Sequence, residues 1–173
     1  MNLLDMVSEK KGRTYAAIRY SVTGVDGYIF KQGDAEVFQI LHLVMPHADI
    51  LMRGCGKVLN HKNYDADITL LPGVRRTVVD ELGKPQGYFM YVSFKEFRIG
   101  VGSMVFSVKI SANGWEVFDG AKRLANIYKI PAAEMRELKW QGYDEDTRFI
   151  INISEGTNAL LYPYIMAVPV LGF

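Results

Sequence analysis

Basic side chains in the middle of the chain have the chemistry to neutralise an anionic ligand. Between Arg53 and Arg123 there are 11 lysines and arginines but 7 aspartates and glutamates. Guanidinium groups bind phosphate oxygens in bidentate geometry, so several of them on one rim would hold an anionic head group. The alternative is that these charges are simply solvated, as most surface charges are. The predicted ligand-binding residues are Arg75, Arg76, Lys84, Lys95, Arg98, Lys122 and Arg123.

The three histidines and the one cysteine form a second candidate centre. His42, His47, Cys55 and His61 lie within 20 residues of sequence. Zinc needs about four nitrogen or sulfur ligands, usually in close pairs, and Cys55 has no second cysteine. Isolated histidines and a buried, inert thiol are therefore the simpler interpretation. We predict no metal and no cofactor, and an enzyme that uses Cys55 with a nearby histidine remains an alternative function.

Other catalytic patterns are absent from the sequence. It contains no Gly-x-Ser-x-Gly elbow, P-loop or dinucleotide-binding fingerprint. The acidic run from Asp144 to Asp146 fits a solvated turn. The aromatic side chains between Tyr88 and Phe106 are interpreted as core rather than as a platform for stacking nucleic-acid bases, because strands normally bury aromatics.

Composition limits the class of protein further. The chain has 173 residues and a formal net charge of +1, which suits one globular domain spanning residues 1–173 and argues against a general nucleic-acid binder. A single cysteine rules out an internal disulfide framework and fits a reducing compartment. The sequence shows no secretory signal and no apolar run of about 20 residues, so we expect a cytoplasmic protein.

Short runs of β-branched and aromatic residues between turn residues predict a mainly β chain. About a dozen strands at this spacing are typical of an antiparallel sandwich or barrel. Few helices are predicted. Residues 1–12 form either a short N-terminal helix, over Leu3–Lys10, or a flexible lead; one helical turn is predicted at Ala132–Glu137, and another helix near the C-terminus. The predicted strands are Thr14–Val22, Gly27–Lys31, Val37–Val44, Ile50–Arg53, Ala66–Leu71, Arg75–Asp80, Gln86–Phe94, Phe97–Val101, Met104–Ile110, Trp115–Phe118, Leu124–Ile130, Leu138–Gln141 and Thr147–Ile153.

The C-terminal segment is the most informative stretch. Thr157 or Asn158 can cap a helix, and from Leu160 to Val168 every residue is apolar or tyrosine. A helix without a polar face must be surrounded on all sides. We therefore predict a central helix over residues 157–170 inside a closed antiparallel barrel of about 12 strands, where it takes the place of a ligand cavity. A buried final strand, broken by its prolines, is the alternative.

These features resemble the tubby C-terminal-like superfamily, which includes the LURP-one-related proteins and the phospholipid scramblases. The resemblance is one of pattern, lies mainly within residues 75–173, and is clearest from Arg148 to Leu161, where a strand, a short polar turn and an apolar helix follow one another. It implies a barrel of about twelve strands around a central helix. Tubby proteins bind phosphoinositide head groups through basic residues on the barrel wall. The cysteine-rich and calcium-binding segments of scramblases are missing from this sequence.

The sequence therefore predicts a non-enzymatic binding module. Its partner would be an anionic phospholipid surface or another protein, and not a nucleic acid. A homo-oligomer in which apolar segments pack between subunits is the remaining alternative.

Overall fold

The computed structural model describes residues 12–43, 50–54, 57–61, 71–140 and 142–171. The prediction of a mainly β, antiparallel chain is confirmed. The strands are β1 (Gly12–Val22), β2 (Val25–Gln32), β3 (Ala35–Leu43), β4 (Ile50–Gly54), β5 (Lys57–His61), β6 (Arg75–Asp80), β7 (Pro85–Ser93), β8 (Glu96–Val101), β9 (Met104–Ser111), β10 (Gly114–Asp119), β11 (Lys122–Lys129) and β12 (Thr147–Ser154).

Each strand pairs antiparallel with the strand that follows it in the chain, and β1 also pairs with β12. The β1–β12 ladder is long, running from Gly12 opposite Ser154 to Ile18 opposite Thr147. The β5–β6 ladder is short and contains only three paired positions, starting at Leu59 opposite Asp80. The continuity of the sheet therefore depends on its β5–β6 junction.

Alternation along the strands separates an inner from an outer face. In β9, Phe106 and Val108 are buried, whereas Val105 and Lys109 are exposed. This is the period of two expected when one face of a sheet is covered. The inward side chains of the strands form one large core together with the C-terminal segment.

The C-terminal segment is helical over a shorter range than predicted. A 3-10 turn at Ala159–Leu161 leads into the helix α2 (Tyr162–Ala167). The Asn158 side chain caps the turn by accepting a hydrogen bond from the Leu160 backbone N–H at 3.0 Å, as the capping pattern predicted.

The prediction that this apolar segment is surrounded is confirmed for the residues from Tyr164 to Val168, all of which are buried. Tyr162 contacts Tyr15 of β1 with ring centroids 6.4 Å apart. Tyr164 contacts Phe89 of β7 at 5.7 Å. The segment therefore packs against strands from distant parts of the sheet. No helix in the described ranges is long and apolar enough to cross a bilayer.

Two strand assignments from the sequence need correction. The predicted strand Leu138–Gln141 is wrong, because Met135–Trp140 forms the helix α1 after a 3-10 turn at Ala132–Glu134. Leu138 is buried in a small cluster on the outer face of the sheet, together with Ile150. It is the one buried residue of this short helix, so the sequence shows no helical period there. The strand β5 was not predicted. Leu3–Lys10 and residues 66–70 of the predicted strand Ala66–Leu71 lie outside the described residues, and Leu71 itself lies before β6.

Candidate binding surface

The register of β6, β7 and β8 places two of the predicted arginines level with each other, with one strand between them. Arg75 pairs with Met90, and Met90 pairs with Arg98. Paired residues point to the same face of a sheet, and both arginines are exposed on the outer face. Since neighbouring strands are about 4.8 Å apart, the Cα atoms of the two arginines lie about 10 Å apart. A single anionic surface can therefore contact both.

Arg75 is held in place by an aromatic ring. Its guanidinium carbon lies 4.2 Å from the centroid of the Tyr88 ring, which is close enough for a cation–π contact. Tyr88 lies over Gly100, its partner on β8. A Cβ atom at Gly100 would be only 2.1 Å from Cε1 of the Tyr88 ring. The absence of a side chain at position 100 is what allows the ring to lie flat against the sheet.

Lys95 lies at the same end of these strands, in the tight turn between β7 and β8. Its ammonium is 5.3 Å from the centroid of the Phe94 ring. Arg98 forms an ion pair of 3.8 Å with Glu96, and both side chains are substantially exposed. This pair is worth little because water screens it. We call Arg75, Tyr88, Lys95 and Arg98 the basic face; among the described residues of β6, β7 and β8, its three cations exceed the one carboxylate beside them, that of Glu96.

Arg76 points the other way. Strand alternation turns it inward, and it is only 8% exposed. Its Nη1 atom donates a hydrogen bond to the Leu171 carbonyl oxygen at 3.3 Å. Burial lowers the pKa of its guanidinium from the usual value. Arg76 thus holds the last described turn of the chain, and its guanidinium is not presented at the outer face.

The other three predicted cations lie away from the basic face. We call the end of the sheet that carries the β7–β8 turn the near end, and the end that carries the β6–β7 turn the far end. Lys84 lies in the β6–β7 turn, and Lys122 begins β11; both are exposed at the far end. Arg123 is half-buried beside Lys122 and forms an ion pair of 3.2 Å with Glu116. The seven residues therefore divide into three groups.

The far end of the same strands has the opposite charge balance. Asp80 ends β6, and its carboxylate accepts hydrogen bonds from the backbone N–H groups of Leu82 and Lys84 at 3.0 and 2.9 Å. Glu81 is exposed in the same turn. Among the described residues of β6, β7, β8 and the turns beside them, two carboxylates accompany Lys84 at the far end, whereas three cations and one carboxylate lie at the near end.

The histidine and cysteine centre falls largely outside the described part of the chain. Cys55 and His47 are not among the described residues, and for His42 and His61 the structure describes the backbone only. Within the described ranges, no group of three or more His, Cys, Asp or Glu side chains could hold a metal ion. Asp144 closes a turn by accepting a hydrogen bond from the Asp146 N–H at 2.8 Å, in keeping with the solvated turn that the sequence predicted.

Sequence reasoning missed a groove on the outer face. Its volume is about 830 Å³, and its floor is formed by the outward side chains of Thr14, Ala16 and Ile18 in β1, with polar groups on both sides. The alternation of outward and inward positions along β1 is the only sequence feature that bears on it. The lining residues are Thr14, Ala16, Ile18, Lys31, Gly33, Asp34, Gly142, Tyr143 and Asp144.

Comparison of the chain with models of known families, with curated proteins and with solved structures gives no match in any of the three.

Proposed function

We propose that this chain is a non-enzymatic binding module that docks through the basic face onto anionic phospholipid head groups. The register that places Arg75 and Arg98 on either side of Met90 carries the proposal. Each lysine or arginine that lies close to an anionic membrane surface contributes about 1 kcal/mol to the free energy of binding. Both guanidinium groups have the geometry to bind phosphate oxygens.

We also propose that the sheet closes into a tubby-like barrel and that α2 fills its interior. The pairing of β1 with both β2 and β12 supports this architecture. A filled interior leaves the outer wall as the binding surface. Amide hydrogen exchange tests closure at the short β5–β6 ladder: we expect protection at Asn60 and Val79 comparable with that in β1. Rapid exchange there, with β1 protected, would contradict closure.

Vesicle co-sedimentation tests the binding proposal. We expect the chain to bind phosphatidylcholine vesicles that contain phosphatidylserine, and not vesicles of phosphatidylcholine alone. The double variant Arg75→Glu, Arg98→Glu should bind at least tenfold more weakly, since about 1 kcal/mol is lost per cation before repulsion is counted. Arg76 is unsuitable for this test because its replacement would disturb the core.

A matched control removes the same amount of charge elsewhere. Lys31 of β2 and Arg53 of β4 lie towards the far end, away from the basic face. The double variant Lys31→Glu, Arg53→Glu should bind within about twofold of the unmodified chain. Equal losses in both double variants would mean that net charge, and not the basic face, drives binding. Failure of the unmodified chain to bind would remove the lipid proposal and favour a protein partner.

A further inference from the structure

We infer that the β7–β8 turn is a membrane anchor, in which the Phe94 ring enters the lipid interface while the basic face contacts the head groups. This inference rests on the proposed function and specifies how the chain is oriented on the membrane. Its starting observation is that Phe94 is 75% exposed at the tip of a two-residue turn. A large aromatic side chain in that position leaves most of its apolar surface in water.

A second apolar side chain lies beside the tip. Leu71 is 54% exposed in the turn that precedes β6. The Gly73 N–H donates a hydrogen bond of 3.2 Å to the Tyr91 carbonyl oxygen, which fastens this turn to the end of β7. Phe94 and Leu71 therefore project from adjacent turns at the near end of the sheet.

The spacing along β8 matches the depth of a membrane interface. Arg75 and Arg98 are level with Met90, and Arg98 lies three residues after Lys95, the second residue of the turn. At about 3.3 Å per residue, the arginine row is about 10 Å behind the tip. The polar region on each side of a bilayer is about 5–8 Å thick, and arginine side chains can extend forward from the row. The turn can thus reach the acyl boundary while the guanidinium groups remain among phosphates.

Lys95 completes the arrangement. Its ammonium lies over the Phe94 ring at 5.3 Å from the centroid. An aromatic ring with a cation beside it suits an interface that is apolar on one side and charged on the other. Long lysine side chains can keep their charge in the head-group layer while their aliphatic stems lie deeper.

The turn at the other end of the same strands also exposes a large apolar side chain, but its neighbours are mainly acidic. Leu82, at the tip of the β6–β7 turn, is 94% exposed. Its neighbours Asp80 and Glu81 are repelled by an anionic surface. Two exposed apolar tips therefore differ in the sign of the charge around them, and charge complementarity selects Phe94. This makes Leu82 a matched control within the same hairpin meander.

The test compares substitutions at the two tips, with phosphatidylserine-containing vesicles as the probe. We expect Phe94→Ser to weaken binding about tenfold, because part of the free energy of burying a phenyl ring is lost. Phe94→Leu should retain binding within about threefold. Leu82→Ser should bind like the unmodified chain. Circular dichroism confirms that each variant is folded; both tips are exposed, so we expect no change.

A direct readout of depth accompanies the affinities. The variants Phe94→Cys and Leu82→Cys, each in a Cys55→Ser background, are labelled at the new cysteine with an environment-sensitive fluorophore. Bound to vesicles with brominated acyl chains, the label at position 94 should shift to the blue and be quenched, and the label at position 82 should not. Quenching at both positions, or only at position 82, would overturn the assigned orientation.

The two proposals fail in distinguishable ways. If Phe94→Ser binds like the unmodified chain while Arg75→Glu, Arg98→Glu still loses binding, the anchor is wrong and the head-group site stands. If the unmodified chain does not bind these vesicles at all, the proposed function is wrong and the anchor falls with it.

Discussion

The guanidinium carbon of Arg75 lies 4.2 Å from the centroid of the Tyr88 ring, on the outer face of the sheet. The contact fixes a cation at the edge of the basic face, and the ring in turn lies against Gly100. Cation, ring and glycine thus form one layer across β6, β7 and β8. The proposed head-group site is therefore set by strand register rather than by loop conformation at Arg75 and Arg98.

The first prediction concerns Gly100. We expect Gly100→Ala to lower the free energy of unfolding by about 1–3 kcal/mol, because the new methyl group would overlap the Tyr88 ring and force it to move. Urea denaturation measures the change. In a Tyr88→Ala background the same substitution should cost much less. An equal cost in both backgrounds would show that the ring is not the obstacle.

The second prediction uses two adjacent arginines with opposite orientations. Arg76→Ala should lower the free energy of unfolding by about 1–3 kcal/mol, because a buried side chain and the hydrogen bond to the Leu171 carbonyl are lost. Arg75→Ala should change it by about 0.5 kcal/mol or less, as is usual for surface positions. Chemical denaturation of the two variants checks this, and similar costs for both would contradict the inward placement of Arg76.

The third prediction concerns alkaline pH. Burial raises the pKa of Tyr164 to about 12, whereas its ordinary value is 10.0. The unfolded state therefore loses this proton first as the pH rises above 10, so folding stability should fall between pH 10 and pH 12. Burial also raises the pKa of Tyr128 and Tyr143, which add to the fall. Tyr164→Phe should show a shallower decline in unfolding free energy over this range.

Below pH 10, the variant Tyr164→Phe measures the energetic cost of burying the Tyr164 hydroxyl. The Tyr164 hydroxyl is buried and has no hydrogen-bond partner among the described residues. Its removal should therefore stabilise the protein by about 1 kcal/mol. A destabilised Tyr164→Phe variant, or one with an unchanged alkaline decline, would mean that the hydroxyl is solvated or bonded in solution.

The fourth prediction tests whether the lysines that the sequence grouped with the basic face take part in binding. Lys84 and Lys122 were grouped with the arginines by charge alone, but both lie at the far end of the sheet. We expect Lys84→Glu, Lys122→Glu to bind phosphatidylserine-containing vesicles within about twofold of the unmodified chain. If this variant loses as much binding as Arg75→Glu, Arg98→Glu, the contact surface includes the far end.

Strand periodicity made much of the sheet predictable. Arg75–Asp80 is a strand with the predicted bounds, although a bulge between Val78 and Val79 interrupts its alternation. The glycine of the β6–β7 turn, Gly83, has the positive φ of 79° that such a turn requires. Lys57–His61 was missed because only Val58 and Leu59 among its five residues are apolar. Leu138 was misassigned to a strand because a helix with one buried residue leaves no clear period.

The site was less predictable than the sheet, and the reason is geometric. Charge is visible in sequence, but the pairing that sets Arg75 opposite Met90 and Met90 opposite Arg98 depends on the register of three strands. A shift of one residue would turn each side chain to the other face. The opposite fates of Arg75 and Arg76 illustrate this: the two are adjacent in sequence, yet only one reaches the outer surface.

The most direct measurement is the affinity of the unmodified chain for phosphatidylserine-containing vesicles over a range of sodium chloride concentrations, beside the Arg75→Glu, Arg98→Glu variant. We predict that binding of the unmodified chain weakens steadily as salt screens the basic face, and that the double variant binds weakly at every concentration. Affinity independent of salt, or equal for the two chains, would contradict the account.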